Sequence, residues 1–191
     1  MRAELDEREE FPREIIRRFA EADLMGVHIP EEYGGLGGGV LESCLVVEEL
    51  SRVCTGVAVC CAASSLGSYP ILLFGSEEQK RRWLPQIASG AKMAAFALTE
   101  PNAGSDAMAI ETVAEPANGG WRINGLKRWI TGAGEADLYV VIALTDRRRG
   151  PRGASALLVE RGTPGLAFGK TERKMGIRAS VTREVILNDC W

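Results

Sequence analysis

The chain has 191 residues, 46% of them apolar, with a net charge of −3. One domain or two small ones with a real core fit that length, and no basic face is available for a nucleic-acid binder. Five cysteines without Cys-x-x-Cys spacing read as reduced thiols, and the single histidine, His28, leaves no material for a histidine metal site or a catalytic triad. No metal ligands are assigned. The charged first ten residues contain no signal-peptide core, and the apolar stretches near 57–63 and 69–74 read as too short and broken to span a bilayer. The expected location is the cytoplasm.

In chain order, residues 1–10 read as an exposed, charged lead-in. Phe11, Ile15, Ile16, Phe19 and Leu24 share one side at helical spacing, with Pro12 in the first turn and Gly26 as the stop. The glycine-rich run 31–39 lacks the Lys-Ser/Thr of a phosphate loop and reads as a tight connection between helices. Val40 to Val53 predicts a largely buried helix and Thr55 to Leu66 a second one ended by Gly67. Tyr69 to Phe74 predicts a short third helix. Ser76-Glu-Glu-Gln79 is a capping box that starts a helix carrying Trp83, Leu84 and Ile87 inward. His28 reads as a structural residue near a helix exit.

After about Ala91 the pattern changes to short strands. They fall at 93–98, 112–115, 121–124, 126–130, 138–144, 155–159, 166–168 and 183–187, and Asn118-Gly-Gly120 is a hairpin signal. The expected fold is α+β: an N-terminal all-helical domain, 1–91, then a small antiparallel β-barrel domain, 92–191. The arginines of the turn at 146–153 read as a solvated loop.

Two dense stretches carry the chemistry. Phe96-Ala-Leu-Thr-Glu-Pro-Asn-Ala-Gly-Ser-Asp106 is a strand that turns at Pro101 into a small-residue loop, where a ligand can approach the backbone. Glu100 and Asp106 are assigned to bonding backbone amides within that turn. In Lys127-Arg-Trp-Ile-Thr131, Trp129 and Thr131 flank Ile130 and are expected on one strand face, an indole and a hydroxyl suited to a planar heterocycle. Alone, either stretch is more often core or turn than site.

Together, Thr99-Glu-Pro-x-Ala-Gly-Ser-Asp106, Gly125-x-Lys-x-Trp-Ile-Thr131 and Ala136-Asp137 resemble the signature of the acyl-CoA dehydrogenase family. The runs 29–37, 75–85 and 174–183 match it as well. The resemblance implies a helical N-terminal domain, a middle β-barrel and a C-terminal helical bundle, with FAD between barrel and bundle. It implies α,β-dehydrogenation of an acyl-CoA thioester to the trans-2-enoyl form, with an electron-transferring flavoprotein as acceptor and a homotetramer or other homo-oligomer as the assembly. Position by position, it implies that Phe96, Leu98, Thr99, Trp129, Ile130 and Thr131 meet the flavin, that Ser105 meets the pyrophosphate and lies beside the acyl-CoA, and that Ser180 contacts CoA. The bundle and its catalytic carboxylate have no counterpart in this sequence, so no catalytic base is assigned and the lone chain is expected to be inactive. A partner chain supplying the bundle would restore the enzyme. The alternatives are an acyl-CoA oxidase or flavin monooxygenase on the same scaffold, told apart by oxygen reactivity of the reduced flavin, and a non-catalytic split half acting as an interaction module. Acyl chain length and branching are not legible.

Overall fold

The structure is a computed structural model that describes residues 2–191. Its N-terminal region is helical: α1 (Arg2–Arg8), α2 (Arg13–Glu21), α3 (Val40–Phe74) and α4 (Glu77–Ala88). A curled, mixed sheet follows: β1 (Ala94–Ala97), β2 (Val113–Ala117), β3 (Gly120–Thr131), β4 (Leu138–Leu144), β5 (Ala154–Glu160), β6 (Leu166–Phe168) and β7 (Thr182–Cys190).

The N-terminal lead-in is a docked helix rather than a loose arm. Arg178 donates its backbone amide to Asp6 Oδ1 (2.9 Å) and its side chain to the Asp6 carbonyl (2.9 Å), and pairs with Glu9 (2.8 Å). Helix α2 stops at Glu21, earlier than Gly26. Asp23 takes a left-handed conformation (φ 58°), which ends the helix before the glycine is reached.

The three helices expected between residues 40 and 74 are one element of 35 residues, interrupted only at Cys54 (φ −158°, ψ 102°). Gly67 does not end it. A Cβ there would lie 2.8 Å from the Ala94 backbone, so the glycine lets α3 press against β1. Ser64 Oγ accepts from the Ala94 amide at that contact (3.2 Å). Pro70 is carried inside the helix because its ring costs one bond where tertiary packing already holds the chain. The burial expected for residues 40–53 is not found. Val40, Leu41, Leu45 and Val53 are all more than half exposed. By length and composition alone, α3 is long and apolar enough to cross a bilayer, against the expectation from its separate pieces. In this fold its second half is a core helix, with Val57, Ala58, Cys60, Cys61 and Ile71 buried.

The glycine-rich connection is as tight as expected, since a Cβ on Gly35 would overlap the Ile29 carbonyl. The Ser76–Gln79 capping box forms in both directions, at 3.2 and 2.9 Å. Asn118 and Gly119 both have positive φ, which suits the two-residue turn joining β2 to β3.

The sheet order is β1-β4-β2-β3-β7-β6, with β5 also on β4. Pairing is antiparallel for β2–β3, β3–β7, β6–β7 and β4–β5. It is parallel for β1–β4 and β2–β4, so the sheet is mixed rather than wholly antiparallel. The reason is the route: β1 arrives from α4, and the chain makes the β2–β3 hairpin before β4 returns alongside β1. Strand β4 is buried on both faces. Leu138 and Val140 meet Ile71, Leu84 and Ile87 of the helices, while Tyr139 and Val141 meet Val185 and Leu187 inside the curl.

Candidate cofactor groove

The groove lies where the second half of α3 passes over the exit of β1 and the end of β3. Val59, Ala62, Ala63 and Leu66 form its helical side. Phe96, Leu98 and Thr99 form a second wall, and Trp129, Ile130 and Thr131 a third, around about 360 Å³. Six of the seven expected flavin residues therefore converge; Ser105 stands apart on an exposed loop. Ser180 is also elsewhere. It is buried, donates to the Ile177 carbonyl (3.0 Å) and meets Lys174 Nζ (3.0 Å).

The first wall is shaped by a tight turn. Glu100 and Ala103 exchange backbone bonds at 3.0 and 3.2 Å, folding Pro101 and Asn102 outward. Asp106 accepts from the Met108 amide (3.2 Å), the backbone role expected of it. Glu100 has that role too, and more. Its carboxylate accepts from the amides of Glu111 (2.6 Å) and Thr112 (3.0 Å) and from Lys127 Nζ (2.6 Å). Burial pushes the Glu100 carboxyl up, but the bonds from Lys127 and the Thr112 and Glu111 amides outweigh it and hold it below its ordinary value. Lys127 is fully buried, and burial brings its ammonium below the ordinary lysine value against the opposing pull of Glu100.

The third wall does not follow simple strand alternation. A register shift between Lys127 and Ile130 puts Trp129 at φ 59° and leaves it 54% exposed beside buried Ile130. This is a β-bulge, which re-aims a side chain. Trp129 and Thr131 line the same groove by way of the bulge, not of the pleat. The Arg128 guanidinium lies 5.1 Å from the Trp129 ring centre. Beyond Thr131, Gly132 donates to the Val181 carbonyl (2.8 Å), and the Tyr139 hydroxyl accepts from the Gly134 amide (2.8 Å) and donates to the Ala136 carbonyl (3.1 Å). Burial pushes the Tyr139 phenol up to about 12.

The donor set suits a flat, mostly apolar heterocycle with a polar rim. Aromatic and aliphatic carbon dominates the walls, no charged side chain lines them, and Thr99 and Thr131 offer half-buried hydroxyls. Among the described residues neither hydroxyl is engaged in a hydrogen bond. The sequence reading missed two parts of this site. The helical wall hid in a buried-helix pattern, although Ala62-Ala63-Ser64-Ser65 is a small-residue run that allows close approach. The Lys127–Glu100 pair was signalled only by a lysine inside an otherwise core-forming strand.

The family model described as acyl-CoA dehydrogenase, N-terminal domain, matches residues 1–91, and that described as acyl-CoA dehydrogenase, middle domain, matches residues 95–190. The chain belongs to the acyl-CoA dehydrogenase family. It is 46% identical over 189 residues to a short-chain specific acyl-CoA dehydrogenase of Clostridium acetobutylicum, covering 98% of this chain and 50% of that one. Among solved structures, a chain from work on the electron transferring flavoprotein of Acidaminococcus fermentans superposes at a TM-score of 0.94 with 45% identity, over 100% of this chain and 51% of that one. An acyl-CoA dehydrogenase complexed with FAD from Bacillus anthracis superposes at 0.88 with 40% identity, over 98% of this chain and 32% of that one. The chain spans about half the length of the curated relatives it matches.

Proposed function

We propose that this chain supplies the N-terminal and flavin-binding portions of an enzyme that uses FAD to oxidise an acyl-CoA thioester to the trans-2-enoyl-CoA. The observation that carries the reading is the convergence of Phe96, Leu98, Thr99, Trp129, Ile130 and Thr131 on one groove. Trp129 gives the ring system a flat apolar surface, and the Thr99 and Thr131 hydroxyls give its edge hydrogen-bond partners. Ser105, free on its loop, is assigned to the pyrophosphate, and Ser180 to a CoA contact that requires its bond to Ile177 to be exchanged. FAD would supply the electron sink for the hydride that leaves the β-carbon. The groove walls hold no carboxylate, and Glu100 is committed to backbone amides and Lys127, so the α-proton acceptor is proposed to come from outside residues 2–191. An electron-transferring flavoprotein is the proposed acceptor, a homo-oligomer the proposed assembly and the cytoplasm the proposed location.

The test is FAD titration of the chain, alone and fused to the C-terminal half of the Clostridium relative, followed by visible absorption and acyl-CoA-dependent dye reduction. Bound flavin in the fusion, with affinity lowered about tenfold by Thr131→Val, is expected, one lost hydrogen bond being worth about that much. A folded fusion that takes up no flavin overturns the reading.

A further inference from the structure

Two walls of the groove belong to strands that do not pair. Strand β1 pairs with β4, whereas β3 pairs with β2 and β7. No direct strand pairing therefore sets the distance between the Phe96–Thr99 wall and the Trp129–Thr131 wall, which the sheet links only by way of β4 and β2. Beside the shared packing of Ala95 and Ala97 with Ile123 and Ile130, the direct hydrogen bonds between them are a short set from residues 127 and 128. Lys127 Nζ donates to the Leu98 carbonyl (3.0 Å) and to Glu100 Oε1 (2.6 Å), and the Arg128 amide donates to the Thr99 carbonyl (2.8 Å). Residues 98, 99 and 100 are thus each held from the bulged segment that carries Trp129.

Both side chains of the pair are withdrawn from water, at 0% and 3% exposure. Removing two charges from water is expensive, and a well-packed apolar pair at such a site is often as stable or more so. Their geometry has the character of a clasp. Glu100 uses both oxygens, holding the amides of Glu111 and Thr112 as well as the ammonium, so the whole 98–112 loop is referred to one point on β3.

We infer that Lys127 and Glu100 are positioning residues for the groove, setting Leu98 and Thr99 in register with Trp129 and Thr131 so that the two walls present one surface to the flavin. The clasp concerns this chain's own geometry; its consequence for flavin rests on the proposed function. Lys127 touches neither the groove space nor any reacting atom, and it acts through the Leu98 carbonyl and the loop.

The test compares the wild-type chain with the double variant Lys127→Met with Glu100→Gln, which leaves no buried charge unpaired. Glu100→Gln alone is the second variant: without its counter-charge the buried Lys127 is expected to give up its proton and to keep, as an amine, its bond to Leu98. Amide hydrogen exchange is read without ligand, and FAD affinity and the flavin absorption band are read in the fusion described above. The double variant is expected to keep one cooperative thermal transition. Exchange should rise at residues 98–112 and 128–131 and stay unchanged in β4, β5 and α4. FAD affinity should fall about tenfold, the worth of one charge-assisted hydrogen bond, with a shifted flavin band. Glu100→Gln should reproduce the rise at 98–112 only, and it decides the matter if the double variant loses its cooperative transition. Unchanged exchange in these segments, or a rise spread evenly over the sheet, overturns the inference. So does local loosening with wild-type flavin affinity and spectrum. A wild-type fusion that binds no flavin overturns the functional reading instead, and the clasp is then judged by exchange alone.

Discussion

The two halves of α3 have similar apolar content and opposite surroundings. Before Cys54, Val40, Leu41, Leu45 and Val53 stand largely in solvent; after it, Val57, Ala58, Cys60, Cys61 and Ile71 are buried. The difference comes from what lies alongside. The second half meets β1 at Gly67 and the His28 segment at Ser68, and it forms a side of the groove. The first half runs past those elements and leaves those four apolar side chains in solvent. Hydrophobicity says that a helix face has a partner, and only the fold says whether that partner is within the same stretch of chain.

This contrast can be broken from the buried side first. Ile71→Ala removes a fully packed side chain from the cluster of Leu84, Ile87 and Leu138 and should cost about 3 kcal/mol in chemical denaturation. Gly67→Val drives a branched side chain into the Ala94 backbone. It should cost about 2 kcal/mol and lower the thermal midpoint by roughly 4–8 °C.

A pH series sharpens the same contrast. His28 is buried against Ser68, its Nε2 lying 2.6 Å from Ser68 Oγ, and burial lowers its pKa to about 4. Its unfolded value is near 6.5, so between those values the unfolded chain binds more protons than the folded one. The stability from keeping His28 neutral is present above pH 6.5 and is lost as the pH falls through that window. About 2 kcal/mol should be gone at pH 5, and His28→Gln should flatten that part of the stability–pH curve. The smallest effect belongs to the exposed half. Leu45→Gln should change stability by less than about 0.5 kcal/mol while reducing self-association in light scattering.

How much of this was legible follows the same division. The Asn118–Gly119 hairpin and the strand positions were readable because alternation and turn chemistry are local properties, except that the strands expected at 121–124 and 126–130 are one, β3, which runs unbroken through Gly125. The interruption between residues 53 and 55 was readable as well. The assignment of Gly67 as a helix stop failed because a glycine that permits close packing has the same sequence signature as one that caps. The groove residues were legible through their motif, but the bulge at Trp129 was not, since a register shift depends on the partner strand β7. Glu100 was read correctly as a turn residue. Its lysine partner, 27 positions away, was not seen, because a buried ion pair is a property of the fold.

The parallel pairing of β1 with β4 has a consequence for the chain as it is made. Ala94 pairs opposite Leu138, 138 − 94 = 44 residues later. At roughly 5–20 residues per second of synthesis, β1 waits about 2–9 s for its neighbour. The elements already available to shelter it are α3 and α4, and the contact of Gly67 with Ala94 gives β1 a place to lie in the meantime. The helical half precedes β1 in the chain, so the surface that covers Ala94 in the folded state is synthesised before β4, the strand's hydrogen-bonding neighbour.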